Sequence, residues 1–317
     1  EVDATGHVVA PGFIDLHSHG QDLENYEVQA RDGVTTALEL EVGVGDVDRW
    51  YDRREGKAPI NYGASVGHIP SRMDLMGDPG DFLPHGDAAH RGASEEEIDN
   101  LKDRIERGLQ RGALAVGFGI DYTPAASRWE VMELFRVAAR HGAACHVHMR
   151  GAGTVEPRSG LEGLQEVITA SLITGAPLHV VHIASSGLRS TPHLLQVIAE
   201  AGAHGLDVTT ECYPYAAAMT YIESAGFDED WQGRSGMDYG DLEWAETGER
   251  LTADSFGRFR KAGGLVVMHM IPDEAVELAV SSPLTMIASD GLLQRGKGHP
   301  RTAGTYSRVL GRFVREA

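Results

Sequence analysis

The chain has 317 residues, 42% hydrophobic and 24% charged, which suits either one large α/β barrel or two ordinary domains. Its 28 Lys and Arg against 47 Asp and Glu leave a formal net charge of −19, which argues against nucleic acid or an anionic membrane as partner, because a phosphate binder needs a basic footprint. There is no apolar run of about 18 residues to span a bilayer, and Cys145 and Cys212 form neither a disulfide framework nor a zinc-finger spacing. A reduced cytoplasmic setting is the expected location. Glu1 is not an initiator methionine, however, and the first residues read as the continuation of something earlier, so a removed targeting segment stays open.

Short apolar runs alternate with amphipathic stretches along the chain. The runs fall at 13–16, 34–40, 60–67, 113–119, 143–149, 178–184, 208–213, 265–270 and 285–289. Most are rich in Val, Ile and Ala and bounded by Gly, Pro or Asp, as buried parallel strands should be. Between them, Ser94-x-x-Glu97 and Ser127-x-x-Glu130 read as capping boxes, and Thr191-Pro192 as an N-cap followed by proline at the first helical position. Repeated strand–helix units predict a parallel sheet, and about eight of them a closed (β/α)₈ TIM barrel with its site at the C-terminal face. The runs number one too many, so one is expected to be misassigned or to lie outside the barrel. An open doubly wound sheet is the alternative, but no Gly-x-Gly-x-x-Gly follows the first strand. The whole chain, 1–317, reads as a single domain with an insertion at about 223–262, where glycines and acids break the rhythm. A solvated surface loop is the plainer reading of that insertion, and a lid over the barrel mouth the functional one.

Several strands end on metal-binding side chains. The first ends in His17 and His19, whose i, i+2 spacing turns both imidazoles to one face. The second reads Ala37-Leu38-Glu39-Leu40-Glu41. Leucines facing the helices would turn Glu39 and Glu41 into the barrel, where a carboxylate needs a partner or a cation. If the parity is reversed, both are exposed. Further runs end on His146-Val147-His148, on His179-Val180-Val181-His182 and on Ser289-Asp290-Gly291. A lone histidine among apolar residues is usually a core residue, but three histidine-bearing strand ends with a terminal aspartate point to Zn²⁺ or a similar divalent ion. No lysine ends a candidate strand, the lysines being Lys57, Lys102, Lys261 and Lys297.

With these residues the chain resembles the amidohydrolase superfamily, and within it the D-aminoacylase (N-acyl-D-amino-acid deacylase) branch. The resemblance is carried in order by Ala10-Pro11-Gly12-Phe13-Ile14-Asp15 with its His-x-His, Gly33-Val34-Thr35-Thr36, Gly67-His68-x-x-Ser71-Arg72 and Gly119-Ile120-Asp121-Tyr122-Thr123-Pro124. It continues through His148-Met149-Arg150, Tyr213-Pro214-Tyr215, Ser289-Asp290-Gly291, His299-Pro300-Arg301 and the closing segment 304–311. It implies one zinc site from His17, His19 and Asp290, and a second, tighter one from His148 and His182, with one or two Zn²⁺ per chain. Members of this branch bridge the two with a cysteine, other branches with a carbamylated lysine; neither residue is present here. Glu41 is expected to bridge instead, with Glu39 as second choice. The resemblance further implies Asp290 as the proton shuttle, and Arg301, Tyr215, Tyr122 and His68 as substrate contacts. Ala184 stands where the family has a lysine, and the family's small β-sandwich is largely missing from this chain. The expected activity is hydrolysis of N-acyl-D-amino acids, a small-molecule substrate, by metal-activated water. Another amide, dipeptide, cyclic amide or lactone is the alternative, and a catalytically silent scaffold the second. The oligomeric state is left open.

Overall fold

All but one of the apolar runs form a single parallel sheet in the computed structural model, which describes residues 2–316. β1 (Phe13–Asp15), β2 (Val34–Val44), β3 (Asn61–Gly67), β4 (Val116–Gly119), β5 (Cys145–His148), β6 (Leu178–Val180) and β7 (Val208–Cys212) lie side by side in chain order. An excursion follows, with three short strands, β8 (Ala218–Tyr221), β9 (Leu242–Trp244) and β10 (Leu265–Met268). The chain then returns to the sheet as β11 (Thr285–Ile287), parallel to β7. The sheet closes on itself where β11 meets β1. Ser18 bridges Gly291, and the Asp290 amide donates to the His17 carbonyl at 2.8 Å. The buried Asp15 carboxylate fastens this seam, accepting from the Ser289 amide at 3.0 Å and from the Ser289 hydroxyl. The architecture is the (β/α)₈ barrel.

The helices pack on the outside through apolar stripes. The helix Glu95–Gln110 buries Ile98, Leu101 and Ile105 on one face, and Arg128–Arg140 buries Val131, Leu134, Phe135 and Ala138. These meet Val66, Val116, Phe118, Val147 and Val180 of the strands in one continuous core. Ser94 and Glu97 form the full capping box. Ser127 caps the Glu130 amide, but the Glu130 carboxylate turns inward to Arg72, so the second box is only half made. Thr191 begins its helix instead of capping it, its hydroxyl donating to the Leu188 carbonyl.

The run 265–270 is the supernumerary one. Its residues form β10, the centre of an antiparallel sheet in the order β8-β10-β9. A strand buried on both faces reads as the same apolar run wherever it sits, so periodicity could not separate it from a barrel strand. The excursion has a core of its own, in which Ile222, Phe227, Trp231, Leu242, Trp244 and Val266 pack together, and Trp244 stacks on Phe259 at 4.1 Å. Its inner side faces the barrel mouth, so it is more than solvated surface. Among the described residues no helix is long and apolar enough to cross a membrane.

Candidate metal centre

Five strands deliver side chains to one point at the C-terminal mouth of the barrel. β2 runs far beyond its neighbours, and its parity holds: Glu39 and Glu41 are both buried. Near its end the register with β3 shifts between Glu39 and Val44. Gly43 makes this bulge possible. Its φ is +69°, and a Cβ there would lie 2.4 Å from Ser65 Oγ and 2.8 Å from the Gly67 backbone. The bulge sends the two carboxylates to different places. Glu41 reaches the centre, whereas Glu39 lies behind His19, its Oε2 2.8 Å from Nδ1.

Glu41 is the hub. Its Oε2 is 2.9 Å from His17 Nε2 and 3.1 Å from His19 Nε2, and its Oε1 is 3.2 Å from His148 Nδ1. His182 Nε2 lies 3.0 Å from His148 Nδ1. Two candidate ligand clusters result, His17–His19–Glu41 and Glu41–His148–His182, sharing the one carboxylate. Asp290 Oδ1 stands 3.4 Å from His19 Nε2 and 3.6 Å from His17 Nε2. His182 and Asp290 both take left-handed backbone, φ +32° and +50°, which costs non-glycine residues about 1–3 kcal/mol each. Strain of this kind persists only where surrounding contacts hold it. The His182 amide donates to Glu211 Oε1 at 3.3 Å, and Asp290 is held in the seam between β11 and β1.

The electrostatics fit a cation. The Nε2 atoms of His17 and His19 point at each other across 3.2 Å, and buried Glu41 Oε1, although 3.2 Å from His148 Nδ1, accepts no aligned hydrogen bond. Burial alone would push the His17 imidazole down, but Glu211, Asp290 and Glu41 hold it well above its ordinary range. Burial likewise opposes charge on His19, which Glu39, Asp290 and Glu41 hold well up. Burial and the neighbouring His148 press His182 down to about 3, leaving a neutral ring. Burial would raise Asp290, yet Arg301 and His17 bring it down to about 2. Imidazoles that carry protons only because carboxylates surround them are ones that a divalent cation can take over.

A cavity of about 160 Å³ opens onto this cluster. Glu41, His148, His182 and Asp290 lie at its floor, and Phe82, Leu83, Tyr122, Met219, Tyr221, Phe227, Met237 and Met268 form much of its wall. Arg301 contributes the positive charge. Its guanidinium is 2.9 Å from Asp290 Oδ1 and lies 4.5 Å over the Tyr213 ring, while its Nε and Nη1 are buried without partners. Tyr122 also reaches the cavity, its hydroxyl accepting from Thr220 at 2.9 Å and its ring 4.8 Å from His148.

The structure brings His17, His19, Glu41, His148, His182, Asp290, Arg301 and Tyr122 together, and corrects two expectations. His68 does not reach the cavity. It opens the helix His68–Met76 and is fully buried, 2.8 Å from a Glu130 carboxylate that also grips Arg72. Tyr215 is also elsewhere, beneath the Arg308 guanidinium and edge-on to His299. β7 ends at Cys212, so alternation no longer governs the Tyr-Pro-Tyr segment, and it is Tyr213 that lines the site. Glu39 touches the far side of His19, and the two ligand clusters share Glu41. Sequence reasoning missed Glu211, which meets His17 Nδ1. The signal was present, since a carboxylate in the apolar run 208–213 raises the same question as Glu39 and Glu41.

A model of the amidohydrolase family matches residues 1–60. The chain is 28% identical over 363 residues to a D-aminoacylase of Alcaligenes xylosoxydans xylosoxydans, covering 99% of this chain and 70% of that protein. An N-acyl-D-glutamate deacylase of the same organism is also 28% identical, over 357 residues and the same 70% of its length. Among solved structures, the N-acyl-D-glutamate deacylase of Bordetella bronchiseptica, complexed with zinc and a phosphonate inhibitor, superposes with a TM-score of 0.79 at 24% identity. That match covers 99% of this chain and 72% of the other. Over nearly its whole length the chain is thus similar in sequence to D-aminoacylases and related deacylases, and it shares their fold.

Proposed function

We propose that this chain hydrolyses the amide bond of N-acyl-D-amino acids with apolar side chains, at a zinc centre held by His17, His19, Glu41, His148, His182 and Asp290. The observation that carries this reading is Glu41, one buried carboxylate shared by two pairs of imidazoles. A carboxylate can serve two cations through its two oxygens, and imidazole with carboxylate oxygen suits zinc. Zinc, when bound, lowers the pKa of water toward neutrality and polarises a carbonyl.

The chain's own residues supply the remainder. Asp290 is kept ionised by Arg301, and its Oδ1 is the oxygen that Arg301 and the imidazoles engage. Oδ2 is left to accept a proton from the attacking water and return it to the leaving nitrogen. Arg301 has two buried donors, Nε and Nη1, without partners, and a substrate carboxylate would give one of them a charge-assisted partner. Tyr122 stays protonated, because burial and Glu41 hold its hydroxyl well above the usual range, so it can donate to the substrate. The methionine- and phenylalanine-rich wall suits an apolar side chain and offers no second cation to an acidic one.

Hydrolysis of a panel of N-acetyl-D- and N-acetyl-L-amino acids by zinc-loaded protein, with chiral analysis of the released amine, tests this. Release confined to D-amino acids, with leucine and methionine ahead of aspartate and glutamate, is the expected result. Release from the L-series, or none from metal-bearing protein, rejects it. Ala184, apolar and buried where the resemblance implies a lysine, favours a second reading: an amide with no free carboxylate, such as a cyclic amide. Adding cyclic amides to the panel separates the two.

A further inference from the structure

We propose that a second cavity, over the ends of β4, β5 and β6, is an acyl-chain subsite that takes a neutral aliphatic acyl group much longer than acetyl. This rests on reading the chain as an N-acyl-D-amino-acid hydrolase.

The cavity above the ligand cluster holds only about 160 Å³, less than the roughly 300–1,000 Å³ usual for small-molecule sites. A larger one, of about 630 Å³, adjoins it. Asp121, Gly151, Ala152, Gly226, Ser235 and Met270 line both, and Gly, Ala and Ser have side chains too small to close that border. The direction is right for the acyl group. In the closed eight-stranded ring β4 stands opposite β11. Asp290 and Arg301 follow β11, whereas Asp121 follows β4, and the segments 151–158 and 188–189 of the second cavity follow β5 and β6. A substrate with its carboxylate on Arg301 and its amide over the ligands sends its acyl group to the far side, where the second cavity lies.

The second cavity is built rather than incidental. The Gly153 amide donates to the Ser186 carbonyl at 2.9 Å, the Ser190 hydroxyl to the Gly153 carbonyl at 3.2 Å, and the Gly151 amide to Asp121 Oδ1 at 2.9 Å. These bonds pin the loop after β5 to its neighbours. Backbone strain gathers in the same place. Arg158, Leu188 and Asp230, at φ +77°, +49° and +63°, all line this cavity, and such strain concentrates at ligand sites. The chemistry of the lining favours an uncharged chain. Val155, Pro157, Leu188, Trp231, Met270 and Pro272 supply apolar surface. Arg158, Arg189 and Arg234 are matched in number by Asp121, Glu156 and Asp230, so no net charge selects an ion.

The test measures kcat and KM of the zinc-loaded full chain on N-acetyl-, N-butanoyl- and N-octanoyl-D-leucine. Catalytic efficiency should climb with length, by about tenfold or more from acetyl to octanoyl and chiefly through KM, since each buried methylene adds at most about fourfold. Val155 lines the second cavity and not the first, and at 59% exposed it can be replaced without disturbing the core. Val155→Glu should bring octanoyl to within about threefold of acetyl and leave acetyl as in wild type, because a carboxylate beside the chain resists losing its water. Leu188→Gly, at a φ that glycine accepts, removes an apolar wall and should lose most of the same preference. Acetyl turnover with no gain from longer chains overturns the subsite and spares the deacylase reading. A gain for octanoyl that both variants keep overturns its placement in this cavity. No turnover of any of the three by zinc-bearing protein overturns the deacylase reading, and the subsite with it.

Discussion

Glu41 can serve both halves of the centre because its two oxygens face different pairs of rings, and the proposed roles of Asp290, as ligand and in proton transfer, require it to stay ionised. Arg301, 2.9 Å from its Oδ1, favours that ionised form. Asp290→Asn keeps the shape and removes the base, so kcat should fall by about 100- to 10,000-fold with the circular dichroism spectrum unchanged. Turnover near wild type would remove Asp290 from the proton transfers. Protonation also couples to metal loading. His17, His19 and His148 have raised proton affinity because of their carboxylate neighbours, despite burial, and a cation must displace those protons. Zinc affinity should therefore fall as pH is lowered. Calorimetry in buffers of different ionisation enthalpy should register proton release on binding, and a heat independent of buffer would refute this. These residues were legible because strand alternation fixes which side chains share a face. Glu39 with Glu41 follow that rule within β2, and His17 with His19 keep a common side just past the end of β1. At His68 and Tyr215 a helix start and a proline turn replace it.

At the scale of elements, β2 decides the geometry. A regular strand would put Glu39 and Glu41 in equivalent positions, and the bulge at Gly43 is what makes one a hub and the other a buttress. The sequence shows Gly43 but not its bulge, since a glycine after a strand reads equally as its end. Gly43→Ala meets both a left-handed φ and a backbone contact at 2.8 Å that cannot swing aside. It should cost about 1–3 kcal/mol in chemical denaturation and lower zinc content as Glu41 shifts. A variant with wild-type stability and full zinc would show that the bulge does not position the carboxylate. Short apolar runs marked the barrel strands well, because a parallel sheet covered on both faces is apolar throughout. The same property hid β10, whose environment is set by partners distant in the sequence.

At the scale of the molecule, the labour is divided between two cores. The barrel supplies the ligands from strands that the large core holds rigid, and the excursion supplies much of the cavity wall through Met219, Thr220, Tyr221, Phe227, Met237 and Met268. The excursion is braced mainly by its own aromatic cluster, which Trp244 anchors from β9. Damage there should therefore reach the substrate and spare the metal. Trp244→Ala removes a large buried ring, a change that costs about 3–5 kcal/mol where the gap cannot collapse. That loss falls on the excursion, since Trp244 packs in its cluster and no metal-cluster residue does. Zinc per chain should stay at the wild-type level. Catalytic efficiency should drop about tenfold or more, chiefly through KM, as the apolar wall loosens and the amide is no longer held against Asp290. Parallel loss of zinc and activity would mean that barrel and excursion fold as one cooperative unit, with the centre depending on both.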